Sequence, residues 1–515
     1  MIQRLKRGIR KWLGVPEQRG IDAANSGRLL ADWITMNQTA DDEIRWTLSK
    51  MRARARDLEK NNGIARHFLR AAAANVIGPY GFKHSPRVRN NDGQLSQQIN
   101  RKISEAWDTW TTTPALDGRF HFNGLSRLLL KTVARDGEVI VRKWRGEGKY
   151  GLALESIEAD QLDEDLISDA NKSGTKPNIH MGVEMDAFRR PIAYYLWDRP
   201  ADSFGLTTNR KRLRVPADEI FHLYDPDRLG QTRGPSWLVA SIIPLRHLNG
   251  YIESELVAAR ISAAKMLFFQ QKQGELGQAT PAAGQTGFIT EASPGQMAVV
   301  PPGYEIADYS PEHPSTAFGA FVKGGMRQVA TALGMSYNAL ANDLEGVNYS
   351  SMRSGLLVER DYWRMIQEWW EQRFLLPLYA EWMRMAVLSG ELVLDTRDAR
   401  KYLSVKFAGR GWPWVDPLKD MQAGVLGIQS GLASRTQLLA ETGQDFEEVI
   451  SELAEEQRMA DLAGVEISGP DTAGAQADDS EDEPASGEAA KEKQNGAGRN
   501  GHSRRRFIVS KEVQP

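Results

Sequence analysis

The order of apolar and polar positions divides the chain into regions of different character. From Asp41 to about Asn75 apolar residues recur every three or four positions with arginines between them, which predicts helix, and Gly78-Pro79 ends the stretch. A second helical block runs from about Gln94 to Thr111 and carries Trp107 and Trp110. After Phe122 the pattern is mixed. Asn123 is placed to cap a helix to about Ala134, Asp136-Gly137 turns the chain, and "EVIVRKW", "GLALESI", "IHMGVEM", "PIAYYLW" and "EIFHLY" read as strands separated by turn clusters. The fold class expected is therefore α+β, mostly helical.

At Gly234-Pro235-Ser236 the character changes again. Proline suits a helix start, and an apolar-periodic run continues to about Gln270, broken only by Pro244. A helix of that length would reach roughly 50 Å at ~1.5 Å per residue, too long for an average globular helix and suited to a bundle or an oligomer. Gln271 to Glu312 is rich in glycine and proline, with short strand-like pieces ("TGFIT", "QMAVVP"). It carries Glu275, Glu291, Glu305, Asp308 and Glu312 against Lys272. Helix resumes from about Thr316 to Leu333, a polar loop spans Asn338 to Ser350, and a long helix follows from Ser351 to about Phe374, where Pro377 interrupts it. Further helices include one capped by Asp416 with Pro417 just inside, and two capping boxes, Ser434 with Gln437 and Asp445 with Glu448. From about Gly464 apolar residues become scarce, and the acidic run Asp471 to Ala490 predicts a disordered tail that ends near Arg504-Arg505-Arg506.

Composition narrows the function. At 515 residues the chain predicts two to four structural regions, and the absence of cysteine removes thiolate metal sites, cysteine nucleophiles and disulfides. The eight histidines are scattered without a paired metal-binding motif. A net charge of −2 argues against a high-affinity DNA binder, but not against a pore through which DNA slides. No run reaches eighteen apolar residues, so no membrane span is expected. The basic segment Met1 to Val15, with Ile2, Leu5, Ile9, Trp12 and Leu13 near helical spacing, reads as an arm docking on another subunit rather than as a membrane-surface helix.

Candidate chemical motifs have plainer readings. Gly146-x-Gly148-x-x-Gly151 matches a dinucleotide fingerprint as text, but a strand-like segment follows it where a helix is required, so a hairpin turn is expected. Asp169-x-Asn171-x-Ser173 resembles the start of a calcium loop, yet His180 stands where a bidentate glutamate is needed, and a surface turn is expected. The group Glu158, Asp160, Asp163, Glu164 and Asp165 could hold magnesium, with a solvated loop the preferred reading. Trp363, Trp369, Trp370 and Trp382, at near-helical spacing, are expected to pack in a core or subunit contact rather than to stack on bases. No phosphate-binding loop or nucleophile elbow is present, and no catalytic, cofactor or metal residue is assigned.

Several stretches in order resemble the lambda-type family of tailed-bacteriophage portal proteins: "RARARDLEKNNGIARHFLRAAAANVIGPYG", Trp107-x-x-Trp110, "DGE" at Asp136 to Glu138, "VPADEIFHLYDPDRLGQTRGPSWL", "ALGMSYNALANDLEGVNYSSMRSGLLVER" and "GRGWPWVDPLKDMQAGV". The resemblance covers about residues 20 to 460; the acidic tail has no expected counterpart. It implies a ring subunit with wing, stem, clip and crown regions, most often a homododecamer, at one vertex of the virion capsid, assembled in the host cytoplasm. Mapped onto this chain it implies a basic arm at 1–40, a wing at 41–234, a first stem helix at 235–270, a clip at 271–314 and a second stem helix at 315–337. A channel loop at 338–350, a channel-facing helix at 351–376, a crown at 377–464 and the tail at 465–515 follow. Asn342, Asp343, Glu345 and Asn348 would then face DNA, while Glu275, Glu291, Glu305 and Asp308 would form a surface for the packaging motor. Implied partners are double-stranded DNA in the channel, the terminase large subunit, a major capsid or scaffold protein and a head–tail adaptor. The rival functions are another head protein, scaffold or adaptor, and a metal-dependent DNA-processing enzyme.

Overall fold

In the computed structural model, residues 37–168, 177–200, 210–263, 268–271, 304–307, 317–414 and 416–465 are described. Met1 to Val15, the calcium-like positions Asp169, Asn171 and Ser173, the acidic residues Glu275, Glu291, Asp308 and Glu312, the side chain of Glu448, and the tail from residue 466 lie outside them. The chain divides into two units, Met1–Val449 and Ile450–Pro515; the described part of the second is helical as far as Ala463.

The helical pattern after Asp41 resolves into three segments, α1 (Ala40–Arg45), α2 (Leu48–Asn61) and α3 (Gly63–Val76). The break falls at Asn62, whose backbone is extended and whose side chain accepts from the amides of Ile64 and Ala65, capping α3. β1 (Lys83–Pro86) and α4 (Gln97–Thr111) follow, then α5 (Phe122–Asp136). The expected cap of α5 is displaced: His121 accepts from the amide of Asn123, and the Asn123 side chain donates instead to the Tyr80 carbonyl at 2.6 Å. Gly137 ends α5 in the left-handed region, at φ 94°.

The strand-like segments form two antiparallel sheets. β2 (Glu138–Arg145) pairs with β3 (Leu152–Ile157), and the glycine-rich Gly146 to Gly151 is the hairpin turn between them. β4 (Asn178–His180), β5 (Val183–Met185), β6 (Pro191–Trp197) and β7 (Arg212–Pro216) make a four-stranded meander; β8 (Ile220–Tyr224) returns to the other edge of β2. Period-two alternation explains the layering. Val139 and Val141 of β2 join the helical core, while Ile140 between them packs with Leu162, Val183, Leu196 and Val215 against the meander.

The expected helix from Pro235 is shorter than its apolar pattern. Residues 237–241 are turns, and α6 runs Ile242–Ala263, so Pro244 falls in its first turn, where no intrahelical amide is needed. Pro235 is instead held at a crossing of backbones: a Cβ on Gly137 would lie 2.2 Å from the Gly234 carbonyl oxygen, and one on Gly234 would lie 2.2 Å from that of Gly137. β9 (Phe268–Gln271) pairs with β10 (Tyr304–Ala307), placing Glu305 opposite Gln270. α7 (Phe318–Ala332) packs on α6 through Tyr251, whose ring lies 4.9 Å from that of Phe321 and 5.7 Å from that of Phe318.

α8 (Tyr337–Ala341) occupies the start of what reads in sequence as loop, and α9 (Tyr349–Trp370) follows. Pro377 does not interrupt the helical line. A π-helical turn at Glu371–Leu375 widens the backbone around the carbonyls that the proline ring would strike, and α10 (Leu376–Leu388) continues beyond it. β11 (Val405–Ala408) pairs with β1, and α11 (Pro417–Gln429), α12 (Arg435–Glu441) and α13 (Phe446–Ala463) complete the described chain. Asp416 caps α11, and Ser434 with Gln437 forms the expected capping box.

Most of the tryptophans singled out are core, Trp369 being partly buried beside them. Trp110, Trp363, Trp370 and Trp382 are fully buried, and Trp107 sits among Trp110, Trp382, Tyr379 and Phe122. Trp110 donates to the Leu152 carbonyl at 2.8 Å, tying α4 to β3.

Candidate functional site: the 342–348 loop and its anchors

Two polar centres stand out. The first is an ion-pair lattice where α2, β2 and the segment before α6 meet. Glu138 is fully buried and accepts from Nε of Arg233 at 2.8 Å on both carboxylate oxygens, from His222 at 2.9 Å, and from the Gly234 amide at 3.3 Å. Burial pushes the Glu138 carboxyl up, but Arg233 and then His222 outweigh it and hold it well below the usual carboxylate range. Arg52 reaches Glu138 and Glu164 at 3.5 Å and also pairs with Asp160; Arg56 bridges Asp160 at 2.5 Å and Asp136 at 2.8 Å.

This corrects the reading of Glu158 to Asp165 as a solvated loop. Asp160 is shared by two arginines, and Asp163 is buried against Arg212 at 2.5 Å. The cations come from far along the chain, so the acidic run by itself could not reveal them. Among the described residues no group of three or more His, Asp or Glu side chains is placed to hold a metal ion. The guanidinium groups stand where a cation would, and the lattice cements helix to sheet.

The second centre is the loop between α8 and α9. Asn342 ends α8 in the left-handed region, at φ 52° and ψ 39°, with its amide donating to the Asn338 carbonyl. Asp343 turns inward: Oδ2 accepts from the Tyr337 hydroxyl at 2.6 Å and lies 3.1 Å from the Lys323 ammonium, and Oδ1 accepts from the Glu345 amide at 3.0 Å. The Tyr337 hydrogen bond, then the Glu345 amide and Lys323, lower the Asp343 carboxyl to about 2. Asn348 caps α9 by accepting from the Ser351 amide at 2.8 Å. Glu345, Leu344 and Gly346 form the exposed tip.

Of the four loop residues singled out in the sequence, three are therefore structural: Asn342 and Asn348 end and start helices, and Asp343 ties the loop to α7. Glu345 alone presents an outward carboxylate. The anchors Lys323, Arg327 and Tyr337 were not singled out, although the two cations lie one helical turn apart and both approach the Tyr337 ring, at 5.5 and 5.6 Å. On the other side of α8, His67 Nε2 lies 3.1 Å from the Ala339 carbonyl oxygen, and Ser336 donates to Glu359 at 2.9 Å. The loop thus springs from a base fixed to α3, α7 and α9.

Of the acidic residues assigned to motor docking, only Glu305 lies in a described strand; Glu275, Glu291 and Asp308 lie outside the described residues. Among the described residues no helix is long and apolar enough to cross a membrane.

Comparison with known proteins gives a consistent result. The family described as phage portal protein, lambda family, matches residues 26–367. A probable portal protein of Halomonas phage phiHAP-1 is 34% identical over 461 residues, covering 87% of this chain and 88% of that protein. Portal protein B of Escherichia phage lambda is 20% identical over 479 residues, with 85% and 89% covered. Among solved structures, the neck of a native gene transfer agent particle computed with C12 symmetry aligns with 76% of this chain and 93% of that one, at 14% identity and a TM-score of 0.40.

Proposed function

The chain belongs to the lambda family of phage portal proteins, and we propose that it forms the passive wall of a DNA channel at one capsid vertex, serving packaging, head–tail joining and ejection. The observation that carries the ring is apolar surface left uncovered on one copy. Along α6, Ile243, Ile252, Leu256 and Val257 are exposed, and Phe321 on α7 is 60% exposed. Burying such side chains contributes about 25 cal/mol per Å² of apolar surface, and a neighbouring copy in a closing, heterologous contact would supply the cover.

In this reading α6 and α7 are the stem helices, the segment between them is the clip, residues 41–234 form the wing and 377–464 the crown. The 342–348 loop projects toward the axis with Glu345 at its tip. A carboxylate there repels phosphate at close range, over the roughly 8–10 Å that screening permits, so duplex DNA slides without being gripped. The energy for translocation comes from a separate terminase motor docked on the clip, and the chain itself carries no catalytic step. The ring is a dodecamer when built into the head, where it also meets the capsid or scaffold protein and a head–tail adaptor.

Electron microscopy of the purified chain tests this directly. Rings with a central hole are expected; a monomer that persists at high protein concentration would overturn the proposal. Metal-dependent nuclease or ATPase activity in the same preparation would favour the enzyme reading instead.

A further inference from the structure

A different surface of the first unit gathers arginines, several of them without a carboxylate partner among the described residues. Arg70 on α3, Arg127 and Lys131 on α5, and Arg410 after β11 surround a shallow basin of about 550 Å³ floored by Ala73, Ala74, Pro79 and Leu128. Arg364 and Arg410 also line an adjoining hollow beside Trp412, and Arg360 lies close enough for both to depress its basicity, after the larger effect of its own burial. The cations therefore form one continuous band across α3, α5, α9 and the segment after β11.

Most arginines of this fold are spent on carboxylates, as in the lattice around Glu138. Within the band, Lys131 uses Glu59, which Arg135 shares, and Arg364 uses the exposed Asp361. Arg70 and Arg127 are exposed and have no carboxylate partner among the described residues. Arg410 is fixed in place by donating to the Ala74 carbonyl at 2.7 Å and Asn75 Oδ1 at 3.3 Å, while Gln367 donates to the Arg410 carbonyl at 3.0 Å. Arg70, Arg127 and Arg410, which surround one basin without a carboxylate among its lining, leave like charges clustered at a cost, and they call for an anion with several charges in series.

We propose that this band binds the phosphodiester backbone of duplex DNA, as a contact separate from the channel loop. Arginine forks match phosphate oxygens in pairs, and cations carried on several rigid elements address successive phosphates rather than one isolated ion. The contact is sequence-independent, because cations that pair with phosphate oxygens carry no information about the bases. It is also independent of the ring reading, since each residue belongs to a single copy.

The test is fluorescence anisotropy of a labelled duplex of about 30 base pairs with the full chain over a salt series, where each lost phosphate contact reduces the slope of log affinity against log salt by about 0.9. Arg70→Ala with Arg127→Ala is expected to make the slope shallower by about 1.8 and to weaken binding about ten-fold or more at low salt. The Lys pair at the same positions keeps the slope. Lys50→Ala with Arg54→Ala, exposed charges on α2, leaves it unchanged. An Arg70/Arg127 variant with the wild-type slope, or an equal loss in the α2 control, overturns the proposal. So does a variant that keeps its DNA binding but no longer assembles, because the band would then face a second copy of the chain.

Discussion

Glu138 and Arg233 form a fully buried ion pair, 95 residues apart in sequence, with the arginine fork closing on both carboxylate oxygens. The Arg233 guanidinium also donates to the Met181 carbonyl at 3.0 Å, so β2, the turn between β4 and β5 and the approach to α6 converge on one charge pair. Replacing Glu138 with Gln strands the guanidinium without its counter-charge. Loss of one partner of a buried pair costs about 3–5 kcal/mol, so E138Q is expected to lower the midpoint of chemical unfolding sharply. A midpoint within experimental error of wild type would show the pair to be dispensable.

Acid should weaken the fold through His84. Its ring is buried between Trp107, Tyr379 and Phe407, neither ring nitrogen has a hydrogen-bond partner, and burial lowers it to about 3. The folded state therefore takes up this proton less readily than the unfolded chain, where histidine titrates near 6.5. Its neutral form is compatible with full stability above that value, and stability is lost as pH falls from about 6.5 toward 3, by about 2 kcal/mol at pH 5. His84→Phe should flatten the difference in melting temperature between pH 7 and pH 5; an unchanged difference would assign the acid sensitivity elsewhere.

In the 342–348 loop, the proposed channel contact, the two acidic residues should behave differently. Glu345→Lys keeps the loop's anchors and changes only the tip, so rings should assemble normally while DNA packaging slows or stalls. Asp343→Lys removes the acceptor for Tyr337 and places a second ammonium beside Lys323; it should increase protease cleavage between residues 342 and 348 as well. Packaging at the wild-type rate with Lys at 345 would count against loop contact with DNA.

Ring formation should depend on the uncovered apolar surface of α6 and α7. Leu256→Glu or Ile243→Glu changes residues that are about half exposed in a single copy, so the melting temperature of the monomer should move little, by about 0.5 kcal/mol or less in stability. Assembly should fail. Mass photometry separates the two effects, and intact rings from both variants would place the subunit contact on another face.

Local signals in the sequence were read with different success according to where each residue's partner lies. The Asp416 cap, the Ser434–Gln437 box and the Gly146–Gly151 turn are completed within a few residues, and each forms as expected. Asp160, by contrast, is 108 residues from Arg52, and nothing in its own neighbourhood distinguishes a paired acid from a solvated one. Pro377 misled for a related reason: proline breaks a helix only if the backbone keeps its α spacing, and the π turn before it removes that condition. The apolar periodicity from Pro235 to Gln270 overstated α6 because the same pattern also serves the buried turn at Leu238 and the strand at Phe268. At the loop, the residue types were legible but their duties were not, since Asn342, Asp343 and Asn348 fold the chain back on itself.

The π turn has a mechanical corollary. Because it lets the helix pass Pro377, the line from Tyr349 to Leu388 is unbroken, roughly 60 Å at ~1.5 Å per residue. It begins at the Asn348 cap beside the loop tip, and its later turns seat Tyr379 and Trp382 against Trp107 before it ends at the exposed Leu388. A close-packed interior is nearly incompressible. If the tip meets a moving polymer as proposed, a shove on it is carried along a stiff girder into the aromatic masonry around Trp107, far from where it was delivered.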